Sequence, residues 1–317
     1  MTKMKTWLSA LLVIQLALAI GFYWNSQHKL QENLPKPLVD INWEKLDQLV
    51  VGDDAHRVTL SKVEGQWFLS DAGMLPTEDG LAKQMLDKLK ALQTSWPVAS
   101  TESSHERFEV TEETLSRYVS FYQGDKLLGK LIVGSSPGLK KRHVRMADED
   151  NVYAVSLELV DMITNGQAWL DHSLLTLDKV TAIQGMDYKL QKQGDDWQLQ
   201  TVSQPAKTLE ADTGKVGDMI YALKDLQVHE VVTGRPDLSQ SGYGQITVKA
   251  EGEEDPLVYQ FYMTSEKCYV ARNDYDVLFV MNWGDYEKIA GMDLEKLSAE
   301  AAEDQAVEGD SDQTDTP

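Results

Sequence analysis

Polar and apolar residues alternate with period two in two stretches of similar outline, Arg57 to Asp71 (RVTLSKVEGQWFLSD) and Asp187 to Thr201 (DYKLQKQGDDWQLQT). Successive side chains of a strand point to opposite faces, so each stretch predicts a hairpin with one face in a core and one in water. Both turn at a polar segment containing glycine, and in both the second strand opens on a tryptophan, Trp67 or Trp197. The period then changes. Leu81, Met85, Leu89 and Leu92 recur at helical spacings of three and four residues, and so do Val216, Ile220, Leu223 and Leu226. Each set predicts a helix with one apolar stripe against a sheet and Lys, Asp and Gln toward water. The two helices share five of nine positions, MLDKLKALQ at Met85 to Gln93 against MIYALKDLQ at Met219 to Gln227. Thr77 and Asp79 precede the first helix, and Asp212 and Thr213 the second, as candidate caps whose oxygens accept first-turn amides.

Both copies then return to strands. RYVSFYQGDKLLGKLIVG turns at Gly124-Asp125, and GQITVKAEGEEDPLVYQFYM turns around Gly252 to Pro256. A further hairpin, RHVRMADEDNVYAV, aligns with CYVARNDYDVLFVM, and short helical segments, SLELVDMITN and WGDYEKIAG, close the copies. INWEKLDQLVVGD opens the first unit and WLDHSLLTLDKVTAIQG the second, so a boundary falls near Asp171. The expected fold is α+β: two tandem similar lobes of antiparallel strands with one main packed helix each, at 41–170 and 171–296.

The chain ends differ from this body. Trp7 to Trp24, WLSALLVIQLALAIGFYW, is an 18-residue run without charge, just long enough to span a bilayer core as a helix. Trp7, Tyr23 and Trp24 sit where an interfacial aromatic belt would, and Lys3 and Lys5 precede the run. We therefore expect a transmembrane anchor at 7–24 with 1–6 cytoplasmic. Ala17-Leu18-Ala19 fits a small-x-small cleavage pattern, so a signal peptide cut after Ala19 is the alternative; the continuation through GFYW favours the anchor. Residues 25–40, with Pro35 and Pro37, read as a stalk. The 297–317 tail is expected to be disordered, because Ala299 to Pro317 carries seven acidic residues and no basic one.

The charge balance narrows the function classes. Fifty-one acidic against 30 basic residues give a net charge of -21, which repels phosphate backbones and argues against nucleic acid. Cys268 is the only cysteine, so disulfide frameworks and thiolate cages are excluded, and its setting in KCYVARND suits a buried strand thiol. The six histidines are scattered, without metal-binding spacing. Asp148, Glu149, Asp150 and Asn151 have the oxygens of a calcium loop but lack its glycine and closing glutamate. The aligned place in the second copy holds Asn273, Asp274, Tyr275 and Asp276, so turn chemistry accounts for both, with no metal. GSSPGLKKRH, Gly134 to His143, lacks the spacing of a phosphate loop. Lys140, Lys141 and Arg142 within it form a basic point on an acidic chain and are the candidate partner-binding residues. No catalytic residue and no cofactor is expected.

The tryptophan strands WFLSD and WQLQT, the L-x-x-L-x-x-L helix, VRMADEDNVYAV and LDHSLLTLDKV together resemble the bacterial domain of unknown function 4340 family, over roughly Leu46 to Met292. The resemblance implies a membrane-tethered extracytoplasmic protein found beside ABC-type transport machinery, including systems related to gliding motility, and it carries no catalytic residues across. The expected function is a non-enzymatic accessory or scaffold on the inner (cytoplasmic) membrane, with an ABC-type permease or envelope protein as partner. Two other readings stay open: an envelope-polymer hydrolase with a carboxylate site between the lobes, and a periplasmic lipid- or peptide-binding module. The absence of a long insertion confined to one copy favours the scaffold.

Overall fold

The computed structural model describes residues 35–299 apart from 139, 233 and 235, together with 15, 16 and 20. The expected 1–6 segment, nearly all of the 7–24 anchor, 25–34 of the stalk and 300–317 of the tail lie outside the described residues. Among the described residues, no helix is long and apolar enough to cross a membrane.

The first sheet is built from β1 (Gln48–Gly52), β2 (Arg57–Val63), β3 (Gln66–Leu69), β4 (Leu75–Pro76), β5 (Arg117–Gln123), β6 (Lys126–Val133), β7 (Lys141–Met146) and β8 (Tyr153–Ser156). Between β4 and β5 lie α1 (Leu81–Lys90) and the four-residue α2 (His105–Phe108). The second sheet contains β9 (Val180–Gln184), β10 (Tyr188–Gln193), β11 (Asp196–Thr201), β12 (Thr208–Leu209), β13 (Val228–Val231), β14 (Gly242–Ala250), β15 (Leu257–Met263), β16 (Cys268–Arg272) and β17 (Phe279–Met281). Its helices are α3 (Thr213–Lys224), α4 (Trp283–Ile289) and α5 (Leu294–Leu297). The strand orders are β4-β3-β2-β1-β5-β6-β7-β8 and β12-β11-β10-β9-β14-β15-β16-β17-β13. Apart from the added β13, the second order repeats the first strand for strand, and Trp67 and Trp197 sit in corresponding strands, β3 and β11.

By contacts the chain forms two units, 1–65 with 80–165 and 66–79 with 166–317. Residues 66–79 fall in the second because Thr77 bridges Leu170, Glu78 N–H donates to the Trp169 carbonyl (2.8 Å) and Asp171 N–H to that of Pro76 (3.3 Å). The β2–β3 hairpin closes at Glu64 (φ 50°) and Gly65 (φ 92°), the paired left-handed turn whose twist matches flanking strands.

Alternation places Leu49, Val51, Val58 and Leu60 in the first core and Ile183, Leu190 and Leu199 in the second. α1 buries Ala82, Met85, Leu86 and Leu89. α3 buries Val216, Met219, Ala222 and Leu223, a stripe turned slightly from the expected one, with Ile220 half-buried. Asp212 caps α3 as expected, accepting from the Gly214 and Lys215 amides at 2.9 and 3.1 Å. Thr77 and Asp79 do not cap α1. Its N-cap is Gly80 at φ 76°, because Thr77 is still extended and donates its amide and hydroxyl to the Trp67 carbonyl (both 3.1 Å).

The body extends further at both ends than 41–296. Leu38 and Val39 are buried, and Leu38 N–H donates to the Leu92 carbonyl (2.9 Å). Leu297 and Ser298 are buried, and Ala299 N–H donates to the Glu210 carbonyl (3.0 Å). The apolar Leu38-Val39 pair and Leu297 have core to fill, so backbone pairing follows them in.

The two copies differ where the helix hands over to its next strand. In the first unit, part of this connection crosses the outer face of the sheet and forms a small second core of Val110, Ile132 and Val152, with Ala99, Phe108, Leu115 and Ala147 packed against it. β7 is consequently buried from both sides from His143 to Met146. In the second unit the connection instead supplies β13, which joins the edge strand β17.

Candidate functional site

The basic triplet chosen from sequence sits at the start of β7. Lys140, in a left-handed conformation (φ 58°), is exposed and lies 3.7 Å from Glu158, and its carbonyl accepts from Leu157 N–H at 3.2 Å. Lys141 pairs with Ser156 and half-buried Arg142 with Val155. The glycine that opens this loop has a packing cause: a Cβ on Gly134 would lie 2.2 Å from the Phe108 carbonyl oxygen and 2.4 Å from that of Glu109. Its role is close backbone approach, not a phosphate cradle.

At the far end of β7, roughly 17–20 Å away at strand rise, the first unit opens a cleft of about 750 Å³. Leu38, Ile41, Leu128 and Met146 supply apolar lining, and the β7–β8 turn, Asp148 to Asn151, forms an acidic rim. Burial pushes the Glu149 carboxyl above its ordinary range, and the neighbouring Asp148 charge adds to this. The structure does not bring Lys140, Lys141 or Arg142 to this cleft. Among the described residues, no group of three or more His, Cys, Asp or Glu side chains is placed to hold a metal ion.

The acidic turn is held from beneath by an arginine that the sequence reading passed over. Arg145 is buried on the covered face of β7, where Nε donates to the Val110 carbonyl (3.0 Å) and Nη1 to those of Met146 (3.3 Å), Ala147 (2.9 Å) and Glu149 (3.1 Å). The second unit secures the corresponding hairpin differently. Arg272 grips Asp274 through two hydrogen bonds, Nε to Oδ1 at 2.7 Å and Nη2 to Oδ2 at 2.9 Å, and donates to the Tyr259 hydroxyl at 3.2 Å. Burial pushes that phenol up to about 12 despite the adjacent guanidinium. In the first unit Asp53 ties its turn to Arg117 and accepts from Thr164 Oγ1 at 3.1 Å. Burial alone would raise its carboxyl, but amide bonds from His56 and Ala55 together with Thr164 and Arg117 hold it low.

His143, also buried in β7, bonds Ser135 at 3.1 Å and packs edge-on against Phe108 at 4.6 Å. Burial lowers its pKa from 6.5; Ser135 and Glu109 oppose this without cancelling it. Below that value the folded state binds fewer protons than the unfolded chain, so this contribution is complete above about pH 6.5 and is lost as pH falls through the folded value. Thermal melts between about pH 7.5 and about pH 5 are expected to show a smaller fall for His143→Gln than for the parent. An unchanged fall would assign the acid sensitivity to other groups.

Two units of antiparallel sheet with few helices, repeating one strand order, define a two-lobe α+β protein. The chain belongs to the family described as Domain of unknown function (DUF4340), which matches residues 67–245, more than half of its length. The matched span runs from Trp67 in β3 to Gln245 in β14. No curated protein and no solved structure matches the chain.

Proposed function

We propose that the protein is a non-enzymatic, membrane-anchored extracytoplasmic accessory protein that holds a partner protein, an ABC-type permease or envelope component, at the acidic-rimmed cleft of its first unit. The observation that carries this reading is the contrast between that open cleft and the charged group buried beneath its rim, Arg145. Arg145 is committed to hairpin backbone, and Arg272 in the second unit to its own hairpin carboxylate, which is scaffold chemistry, while the cleft offers apolar side chains such as Ile41 and Leu128 within a largely polar lining and an acidic turn suited to an extended basic segment. The uncharged run from Trp7 to Trp24 supports the anchor and Lys3 and Lys5 its orientation.

The test replaces half-buried Asn151 with a photo-crosslinking amino acid in intact cells, followed by alkaline extraction and mass spectrometry. We expect the chain to resist alkaline extraction and to capture one integral membrane or envelope protein repeatedly, with the crosslink lost when Asp148 and Asp150 are both changed to Lys. Release by alkali refutes the anchor; repeated recovery of the chain alone refutes the partner.

A further inference from the structure

The outer face of β14–β16 in the second unit carries a patterned set of side chains with no counterpart in the first. Tyr243 stands opposite Tyr262, and Gln245 opposite Gln260, on neighbouring antiparallel strands. Tyr262 is in turn opposite Tyr269 on β16. Within each strand the tyrosine hydroxyl donates to the glutamine Oε1, Tyr243 to Gln245 at 2.6 Å and Tyr262 to Gln260 at 3.4 Å. The short Tyr243 bond holds that ring and turns the Gln245 amide so that its Nε2 remains a donor that no other described residue takes, while the longer Tyr262 contact is the weaker of the two. The Tyr243 and Tyr262 rings lie 5.5 Å apart and are tilted by 56°, which makes an angled trough instead of a flat plate. Tyr243 is 49% exposed.

The trough borders a cleft of about 300 Å³, to which Tyr243, Gln245, Met186, Asp187 and Asp293 contribute. Both carboxylates are oriented by backbone amides: Asp187 accepts from Leu294 N–H at 3.2 Å and Asp293 from Lys296 N–H at 2.9 Å. Further amides continue across the sheet, with Gln184 opposite Thr247 and Gln191 opposite Gln198.

We infer that this trough and cleft bind a single strand of a neutral polysaccharide. A pyranose ring presents an apolar C–H face, which suits a tyrosine ring, and a girdle of hydroxyls that both donate and accept, which suits fixed amide donors and carboxylate acceptors. Other occupants fit less well. An anionic polymer meets Asp187, Asp293 and a net charge of -21. An apolar peptide would bury the glutamine amides without partners. The tilt between the rings suits one twisting chain and does not suit a crystalline surface. This assignment uses different residues from the protein-binding cleft of the first unit and stands or falls separately.

The test titrates the full-length chain, purified in a non-glycosidic detergent, with chitohexaose and with cellohexaose by isothermal calorimetry. We expect at least one hexasaccharide to bind, Tyr243→Ala and Gln245→Leu each to weaken that binding about tenfold or more, and Lys140→Ala to leave it unchanged. Matching melting temperatures of the variants and parent establish that they fold; if Tyr243→Ala does not, Gln245→Leu carries the test. No heat with either glycan at about 10 mM, or binding that both trough variants retain, overturns the proposal. So does a basic or apolar peptide that binds at this face when neither glycan does.

Discussion

Replacing Arg145 with Leu is expected to lower the unfolding free energy by about 3 kcal/mol or more, well beyond a typical surface substitution. Arg145 is 8% exposed and the partners of its guanidinium are the carbonyls of Val110, Met146, Ala147 and Glu149. Leucine can fill part of the volume but cannot donate, so carbonyls beneath the covering segment lose their partner, and each stranded acceptor costs about 1–3 kcal/mol. Arg145→Lys should recover only part of the loss, because one ammonium cannot span the positions a planar fork reaches. By contrast, removing the exposed Lys83–Asp87 pair, 4.0 Å apart, should change stability by less than about 0.5 kcal/mol. Urea denaturation checks this directly: the midpoint should fall for Arg145→Leu with little change in slope. Because the same side chain holds the turn that rims the first cleft, crosslinking from Asn151 should weaken in parallel. A variant as stable as the parent would show that the carbonyls find water and that the clamp is not structural.

The parts of this fold that were legible in the sequence are those governed by local periodicity. Alternation in RVTLSKV and DYKLQKQ and the glycines at their turns reach the structure as β2 and β10, and both tryptophans lie in the expected strands, one residue after each opens at Gln66 or Asp196. Helical spacing located α1 and α3 for the same reason, although the buried face of α3 includes Met219 and Ala222 where Ile220 was expected. What the sequence concealed depends on contacts between distant residues. Val110, Ile132 and Val152 meet only because the 91–116 connection crosses the first sheet, while 225–241 extends an edge, and neither connection has a period that announces its destination. Thr77 has the chemistry of a cap, yet its strand continues and Trp67 supplies its acceptor. The Tyr-x-Gln and Gln-x-Tyr segments at 243–245 and 260–262 are visible one at a time. Their pairing follows from the register, which the length of the turn between β14 and β15 sets and composition does not reveal. Arg145 reads as one more basic residue beside Lys140–Arg142 until alternation and the overlying segment bury it.

Trp169→Ala should cost about 3–5 kcal/mol, the largest single-residue loss we expect in the second unit. Trp169 is 0% exposed and ends the short 3-10 turn Gly166–Trp169. Truncation there leaves a void beside a turn already fixed through its own backbone bonds, where collapse is restricted. Those bonds set the pattern of the effect. The Trp169 carbonyl accepts from Glu78 and Leu170 bridges Thr77, so Trp169 stands in the chain where the 66–79 segment is joined to 166–171. Hydrogen exchange in Trp169→Ala should therefore accelerate in both stretches together, and Trp169→Phe should restore roughly half of the lost stability by refilling part of the volume. Trp96→Ala is the matched control: that side chain is 64% exposed, so its removal should change stability by no more than about 0.5 kcal/mol. If 166–171 loosened while 66–79 kept its protection, the bonds from Glu78 and Thr77 would not be what holds that segment, and the β3–β4 pair would owe its order to the first sheet alone.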